Sequence, residues 1–415
     1  MLEKIVILLS VLLTVAIFSG CSDRGITGGA ASHKGGIVFN SNHLFGEQLG
    51  QSMFDAMSEN PNVGLRVYVP YTQLRDNGTY MNRGSSEPCP VLFLLSPFGA
   101  GELFYLDHGL KDVADKMIAS GEIKPMIIVC INGSNGYGGS FYGDNYAGGR
   151  FAQLIGDRTG RPSSEAGATL IDHIDKLYNT VRDPVDEITP YRGGWAISGV
   201  GMGGYGAMRI AIRYSENFSS VSAVSAPLDF DGANGDGGFL PLFQKVIRDL
   251  DDTTNYHDMD TSMSHPLQTL FFAAATSFSP HDTGDVDDGN VITDTTTYFA
   301  SGAIKFHLPF DANGAPHEPI WNIWMANDVG TILNNYRRSL DSTKVLLIAT
   351  PEADYGYYQQ TIDFWSHISR YYADSVVTLS TFNGYPGFPA NGQGYTYDDL
   401  PKILKFHSDN FVIPE

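Results

Sequence analysis

Short, fully apolar runs alternate with stretches of helical period along most of this chain. Val91-Leu-Phe-Leu-Leu95 and Met126-Ile-Ile-Val-Cys130 contain no charged or amide side chain, which suits strands buried on both faces of a sheet. Val63 to Val69 alternates between apolar and polar positions and predicts a strand with two unlike faces. Between these runs, Leu110 to Ser120 carries Val113, Met117 and Ile118 at helical spacing. Thr169 to Tyr178 places Leu170, Ile171, Ile174 and Leu177 on one face of a helix. Further helices are predicted over Gly206 to Tyr214 and Thr361 to Tyr371, and further strands over Gly194 to Ser198, Val221 to Ser225, Val345 to Ala349 and Val376 to Phe382. Leu400 to Phe411 closes the series. Strand alternating with helix predicts an α/β fold: right-handed crossovers and a mostly parallel central sheet with helices on both faces.

Two regions break the rhythm. Residues 1–20 hold one Lys, an apolar stretch from Ile5 to Phe18 interrupted only by Ser10 and Thr14, and then Ser19-Gly20 before Cys21. The stretch is shorter than the roughly 18 residues that a membrane-spanning helix needs, and it ends in small residues, as signal peptides do. Small residues before a Cys resemble a bacterial lipoprotein signal, which implies lipidation at Cys21. An ordinary secretory signal or an uncut anchor are the alternatives. Ser22 rather than Asp follows the Cys, so the resemblance implies an extracytoplasmic, lipid-anchored protein of the cell envelope, at the outer membrane where one exists. Residues 21–36, rich in Gly, Ala and Ser, read as a flexible tether, leaving 37–415 as a single domain. Within it, about 229–323 is rich in Asp, Gly and Thr and reads as an insertion lying over one end of the sheet. Its segment 282–288 holds four Asp in seven residues. The spacing fits no calcium loop, so a solvated acidic loop is expected there.

The charge balance narrows the partners. With 26 Lys and Arg against 46 Asp and Glu the chain carries a net charge of −20. No basic cluster exists to meet phosphates, which excludes nucleic acid and leaves the N-terminal lipid as the only expected membrane contact. No His or Cys spacing suggests a metal, and no cofactor is expected. Cys89 precedes one buried run and Cys130 ends the next. On neighbouring parallel strands these thiols would sit at opposite ends of the sheet, too far apart for a disulfide.

The most informative segment is Ile197 to Ala207, in which a strand runs into Gly199-Val200-Gly201-Met202-Gly203 and then a helix. This is the layout of a nucleophile elbow, Gly-x-Ser-x-Gly, with Gly201 at the Ser position. Gly199-x-Gly201-x-x-Gly204 also matches a dinucleotide loop, but it follows a mid-chain strand, and Phe218 stands near where the ribose-binding carboxylate belongs. With Asn132-Gly133, Tyr137 to Tyr142, Asp172 to Tyr178, Phe278-Ser279-Pro280, Leu308 to Asp311 and Trp321 to Asp328, the elbow resembles the esterase family of the α/β-hydrolases. That group includes S-formylglutathione hydrolases, feruloyl esterases and mycolyltransferases. The resemblance covers the chain from about residue 60 and implies an α/β-hydrolase fold.

Carried over residue by residue, the resemblance implies a degenerate site. Gly201 occupies the nucleophile position. Asp354 in Pro351-Glu352-Ala353-Asp354 matches the acid, with Glu352 second. Pro386 stands where the family has its His. The oxyanion loop after the third strand reads Ser96-Pro97-Phe98-Gly99, and Pro97 lacks an N–H. The candidate oxyanion donors are therefore Phe98, Gly99 and, at the helix start, Met202. Ser96 is a stray hydroxyl. His281, His317 and His407 are the histidines to inspect for a displaced base. Tyr137, Phe141, Tyr142, Tyr205, Tyr355 and Tyr385 either pack or stack on a ligand. The expectation is an inactive pseudo-esterase that binds a small acyl or carbohydrate molecule in its cleft. The alternatives are an active ester hydrolase with a non-standard nucleophile or displaced histidine, and a purely structural envelope protein.

Overall fold

The computed structural model describes residues 35–40, 64–74, 88–134, 138–145, 149–156, 174, 180, 192–232, 238–248, 266–280, 296–297, 306–311, 313–349, 357–381 and 399–413. Eight strands form the central sheet: β1 (Ile37–Asn40), β2 (Leu65–Val69), β3 (Val91–Leu95), β4 (Ile127–Ile131), β5 (Trp195–Val200), β6 (Ser220–Val224), β7 (Lys344–Ala349) and β8 (Val377–Thr381). They lie in the order β1-β2-β4-β3-β5-β6-β7-β8. From β4 to β8 every neighbouring pair is parallel, while β2 runs antiparallel to both β4 and β1. The apolar runs behave as expected. Every residue of β3, β4, β5 and β6 is buried, because helices cover both faces.

One face carries α1 (Leu110–Ser120) and α8 (Asp399–Asn410), which pack Val113, Met117, Ile403 and Leu404 on Leu92, Ile128, Ala196 and Leu346. The other carries α2 (Met202–Arg213), α3 (Phe239–Arg248), α4 (Pro266–Phe278), α5 (Glu318–Met325), α6 (Val329–Asn335) and α7 (Tyr357–Ile368). The insertion builds an aromatic core on this second face. Phe230, Phe239, Phe243, Phe271, Phe278 and Trp324 meet one another with ring centroids 4.6 to 6.1 Å apart. Phe141 and Tyr205 join it, each contacting Phe278. The predicted helix over 169–178 lies outside the described residues except for Ile174, which is buried. The predicted helix from Gly206 instead begins at Met202. Its first five residues include three glycines that helical propensity disfavours, and tertiary contacts override that preference.

His407 on α8 is buried in a hydroxyl network on the α1/α8 face. The Ser222 O–H donates to Ser198 Oγ at 2.6 Å. With that proton committed, His407 Nε2 must be the donor to Ser222 Oγ at 2.9 Å, and Nδ1 then accepts from the Ser220 hydroxyl at 2.8 Å. Burial pushes its pKa from 6.5 down to about 3, because the imidazolium would lose its water without gaining a carboxylate. A neutral His407 therefore ties α8 to β5 and β6.

Cys89 and Cys130 are both buried and free. Val91 pairs with Ile127 and Leu94 with Cys130, while Cys89 lies before β3 and donates its S–H to the Pro125 carbonyl at 3.3 Å. The two sulfurs thus sit toward opposite ends of the sheet, as the strand placement predicts. Burial pushes both thiols well above their ordinary pKa.

Two measurements check this packing. Mass spectrometry without reductant should show no cross-link between 89 and 130, and alkylation of these thiols should require unfolding. For His407, the unfolded chain binds a proton below pH 6.5 and the folded chain does not until about 3. Stability is therefore full above 6.5 and falls by ~1.4 kcal/mol per pH unit on this account as pH drops toward 3. Urea unfolding across that range should show a shallower acid-side loss in His407→Gln than in the wild type; identical slopes would contradict the neutral buried imidazole.

Candidate active site

The elbow is built by close backbone packing. β5 ends at Val200, and Gly201 turns the chain with φ 55° and ψ −118°. This is a conformation that residues with a Cβ adopt only under strain. Its N–H donates to the Val224 carbonyl at 2.9 Å, and its own carbonyl accepts the Tyr205 N–H at 3.0 Å, starting α2. A Cβ on Gly199 would lie 2.2 Å from the Gly203 carbonyl carbon, and one on Gly203 would lie 2.1 Å from the Leu95 carbonyl oxygen. The glycines are needed for the helix start to sit directly on the ends of β3 and β5. The turn is present, and Gly201 has no side chain to project from it.

The oxyanion candidates divide. The Gly99 N–H is engaged by the Gly138 carbonyl at 3.0 Å, with Gly99 at φ 71°. This corrects its place among the available donors. Phe98 and Met202 are brought together across Gly139, whose added Cβ would lie 2.4 Å from Met202 Sδ and 2.9 Å from Phe98 Cδ2. Ser96 is committed elsewhere. Its Oγ accepts the Gly133 N–H at 3.2 Å and meets Tyr142 Oη at 3.1 Å. Tyr142 Oη has the Ser96 and Ile131 carbonyls each at 3.1 Å. The single tyrosine proton goes to one of these carbonyls, so the Ser96 proton points at the tyrosine oxygen. Ser96 is a tie between loops rather than a poised nucleophile.

The loop after β4 runs along α2. The Tyr142 ring fills the space where a Cβ on Gly206 would lie, 2.6 Å away, and Gly143 faces Arg209. Asp144 pairs with Arg213 at 3.7 Å. Two consecutive residues of this loop, Phe141 (φ 49°) and Tyr142 (φ 48°), have positive φ, as does Ser225 (φ 41°) after β6. All are buried. Strained non-glycine residues gathered at the ends of strands mark a site whose geometry is imposed by its surroundings. Sequence reading missed this strain and missed Asp328, since neither leaves a residue-type signature. Asp328 caps α6 by accepting the Thr331 N–H at 2.8 Å and pins the loop after β6 by accepting the Phe230 N–H at 3.0 Å. Burial raises its pKa to about 6, opposed by those two hydrogen bonds.

Phe141, Tyr142 and Tyr205 are fully buried, so of the two roles open to them from sequence they pack. His407 has both ring nitrogens on serines of the opposite sheet face, which removes it as a displaced base. His317 precedes α5, its N–H donating to the Pro309 carbonyl at 2.7 Å and its carbonyl accepting the Trp321 N–H at 2.8 Å. Asp354, Glu352, Pro386, His281, Cys21, the acidic segment 282–288, Tyr137, Tyr355 and Tyr385 lie outside the described residues. Among the described residues no group of three or more His, Cys, Asp or Glu side chains could hold a metal ion.

Comparison with known proteins agrees with this architecture. The family profile described as "Putative esterase" matches residues 61–282, more than half of the chain. Among solved structures, a ferulic acid esterase is 16% identical with a TM-score of 0.51, the alignment covering 91% of this chain and 99% of that one. An S-formylglutathione hydrolase from Agrobacterium tumefaciens is likewise 16% identical, with a TM-score of 0.47 and coverage of 93% and 99%. MPT51 of Mycobacterium tuberculosis is 14% identical, with a TM-score of 0.41 and coverage of 86% and 97%. No curated protein sequence matches the chain. With an eight-stranded, mostly parallel sheet, a glycine elbow leading into a buried helix, and a family match across the elbow itself, this chain belongs to the esterase family of α/β-hydrolases.

Proposed function

We propose that this chain is a non-hydrolysing member of its family, which retains the cleft to bind a small acyl or carbohydrate ligand and is held at the bacterial envelope by a lipid on Cys21. The observation that carries the first part is Gly201. The elbow keeps a backbone turn that glycine adopts without strain, and the position from which a nucleophile would rise has no side chain. Loss of the nucleophile or of the base alone costs a Ser-His-Asp hydrolase roughly a millionfold in turnover. Here the expected base position is Pro386 as well. Of the alternative groups, Ser96 is tied to Tyr142 and Gly133, and His407 is locked neutral on the other face of the sheet. Asp354 would be a vestigial acid with no imidazole to orient.

The α2 N-terminus and the Phe98 loop favour a carbonyl or carboxylate oxygen in the cleft, because backbone N–H groups at a helix start retain their partial positive charge without the nucleophile. The ferulic acid in the name of a similar structure points to hydroxycinnamates as the first ligand set to try. Hydroxycinnamates and their short oligosaccharide esters should raise the melting temperature if the cleft binds them. No shift with any member of the set would argue for a structural role instead.

Ester hydrolysis is the decisive assay. The wild type should not turn over a short-chain aryl ester. Gly201→Ser alone should not either, and at φ 55° it should lose ~1–3 kcal/mol of stability to backbone strain. Adding Pro386→His supplies an imidazole for Asp354 to orient, so the double variant should exceed the product of the two single effects. Robust wild-type turnover would sink the proposal. The anchor has its own test. A fatty-acid analogue fed to cells should label the wild type and not Cys21→Ser; equal labelling of both would reject lipidation at that residue.

A further inference from the structure

Among the described residues, one buried guanidinium pairs with no carboxylate. Arg209, on α2, is 4% exposed, and neither its Nε nor its Nη1 has an acceptor among the described residues. The chain carries 46 acidic residues against 26 basic ones. Even so, Asp144 on the loop that packs along α2 pairs with Arg213 rather than Arg209, at 3.7 Å. Tyr205, one turn earlier, donates its proton to the Asn327 carbonyl at 2.7 Å, so its oxygen is free to accept from the guanidinium. A guanidinium has five N–H donors, and one phenol oxygen satisfies a fraction of them. Moving an unpaired cation out of water carries a penalty that hydrogen bonds to neutral groups do not return. Such a group is retained where an anion meets it.

The surroundings limit the size of that anion. A Cβ on Gly143 would lie 2.8 Å from Nη1, so the loop backbone already rests against the guanidinium. The Gly143 N–H and carbonyl are both engaged, with Ser140 and Phe151. A planar carboxylate or tetrahedral oxyanion needs donors from several directions and more room than a monoatomic ion. We propose that Arg209 is the receptor for a buried halide, chloride in solution, held between α2 and the loop of residues 140–144. The ion neutralises the guanidinium and lets the loop close on α2. Its other end, at Gly139, then seats on Met202 and Phe98 at the elbow. The site is independent of whether the elbow hydrolyses, binds or does neither.

The test exchanges the full-length chain into sodium isethionate and replaces it stepwise with chloride at constant ionic strength. The wild type should show a saturable rise in melting temperature of ~2–4 °C. Arg209→Gln should show a flat response. A flat wild-type response, or an equal rise in both proteins, overturns the proposal. If Arg209→Gln does not fold, bromide soaked into wild-type crystals decides the matter. An anomalous peak within hydrogen-bond distance of Nε or Nη1 supports it, and a water or a carboxylate of the chain in that place overturns it.

Discussion

The contact on which the site depends is backbone against backbone. The first turn of α2 rests on the ends of β3 and β5 at a distance where any Cβ on Gly199 or Gly203 would overlap main-chain atoms. Such a contact cannot be made by repacking side chains, so the segment from Gly199 to Gly204 is constrained whether or not it catalyses anything. It fixes where α2 starts, hence where Tyr205 and Gly206 point, hence the path of the loop that packs along them. The turn at Gly201 is held in place by this contact. A glycine relieves the strain that a serine would have to bear there.

Strain has not left the region. Phe141, Tyr142 and Ser225 hold positive φ in a buried setting, and each such residue costs on the order of 1–3 kcal/mol unless its neighbours impose it. The neighbours do. Tyr142 is gripped by Ser96 and by the carbonyls of Ser96 and Ile131, while its ring fills the gap above Gly206. Phe141 is held in the aromatic core by Tyr205, Phe239 and Phe278. The hydroxyls of Ser96 and Tyr142 are the fasteners of this arrangement.

The same redistribution holds for histidine. A buried imidazole bracketed by serines resembles part of a catalytic relay, but His407 lies across the sheet from the elbow and has no carboxylate to stabilise its charged form. Its network joins α8 to two strands and requires neutrality. Asp328 shows the opposite balance. Its carboxylate accepts two backbone N–H groups from different segments, so removing it would open both the α6 cap and the loop after β6.

From sequence alone, the alternation of apolar runs and helical periods was enough to identify the strands, the crossover helices and the α/β class, because strands buried on both faces leave an unmistakable run of apolar residues. The glycine-rich turn between β5 and α2 was equally legible, since it is a statement about residue type at fixed spacing. Tertiary structure decided the rest. Helical propensity delayed the predicted start of α2 to Gly206, whereas packing places it at Met202. Gly99 read as an available donor until the Gly138 carbonyl, distant in sequence, was found on its N–H. His407 read as a possible base until both nitrogens were seen on serines of β6. Arg209, whose Nε and Nη1 meet no acceptor among the described residues, left no mark at all, because the cost of a buried charge depends on what the fold brings beside it and not on its neighbours in the chain.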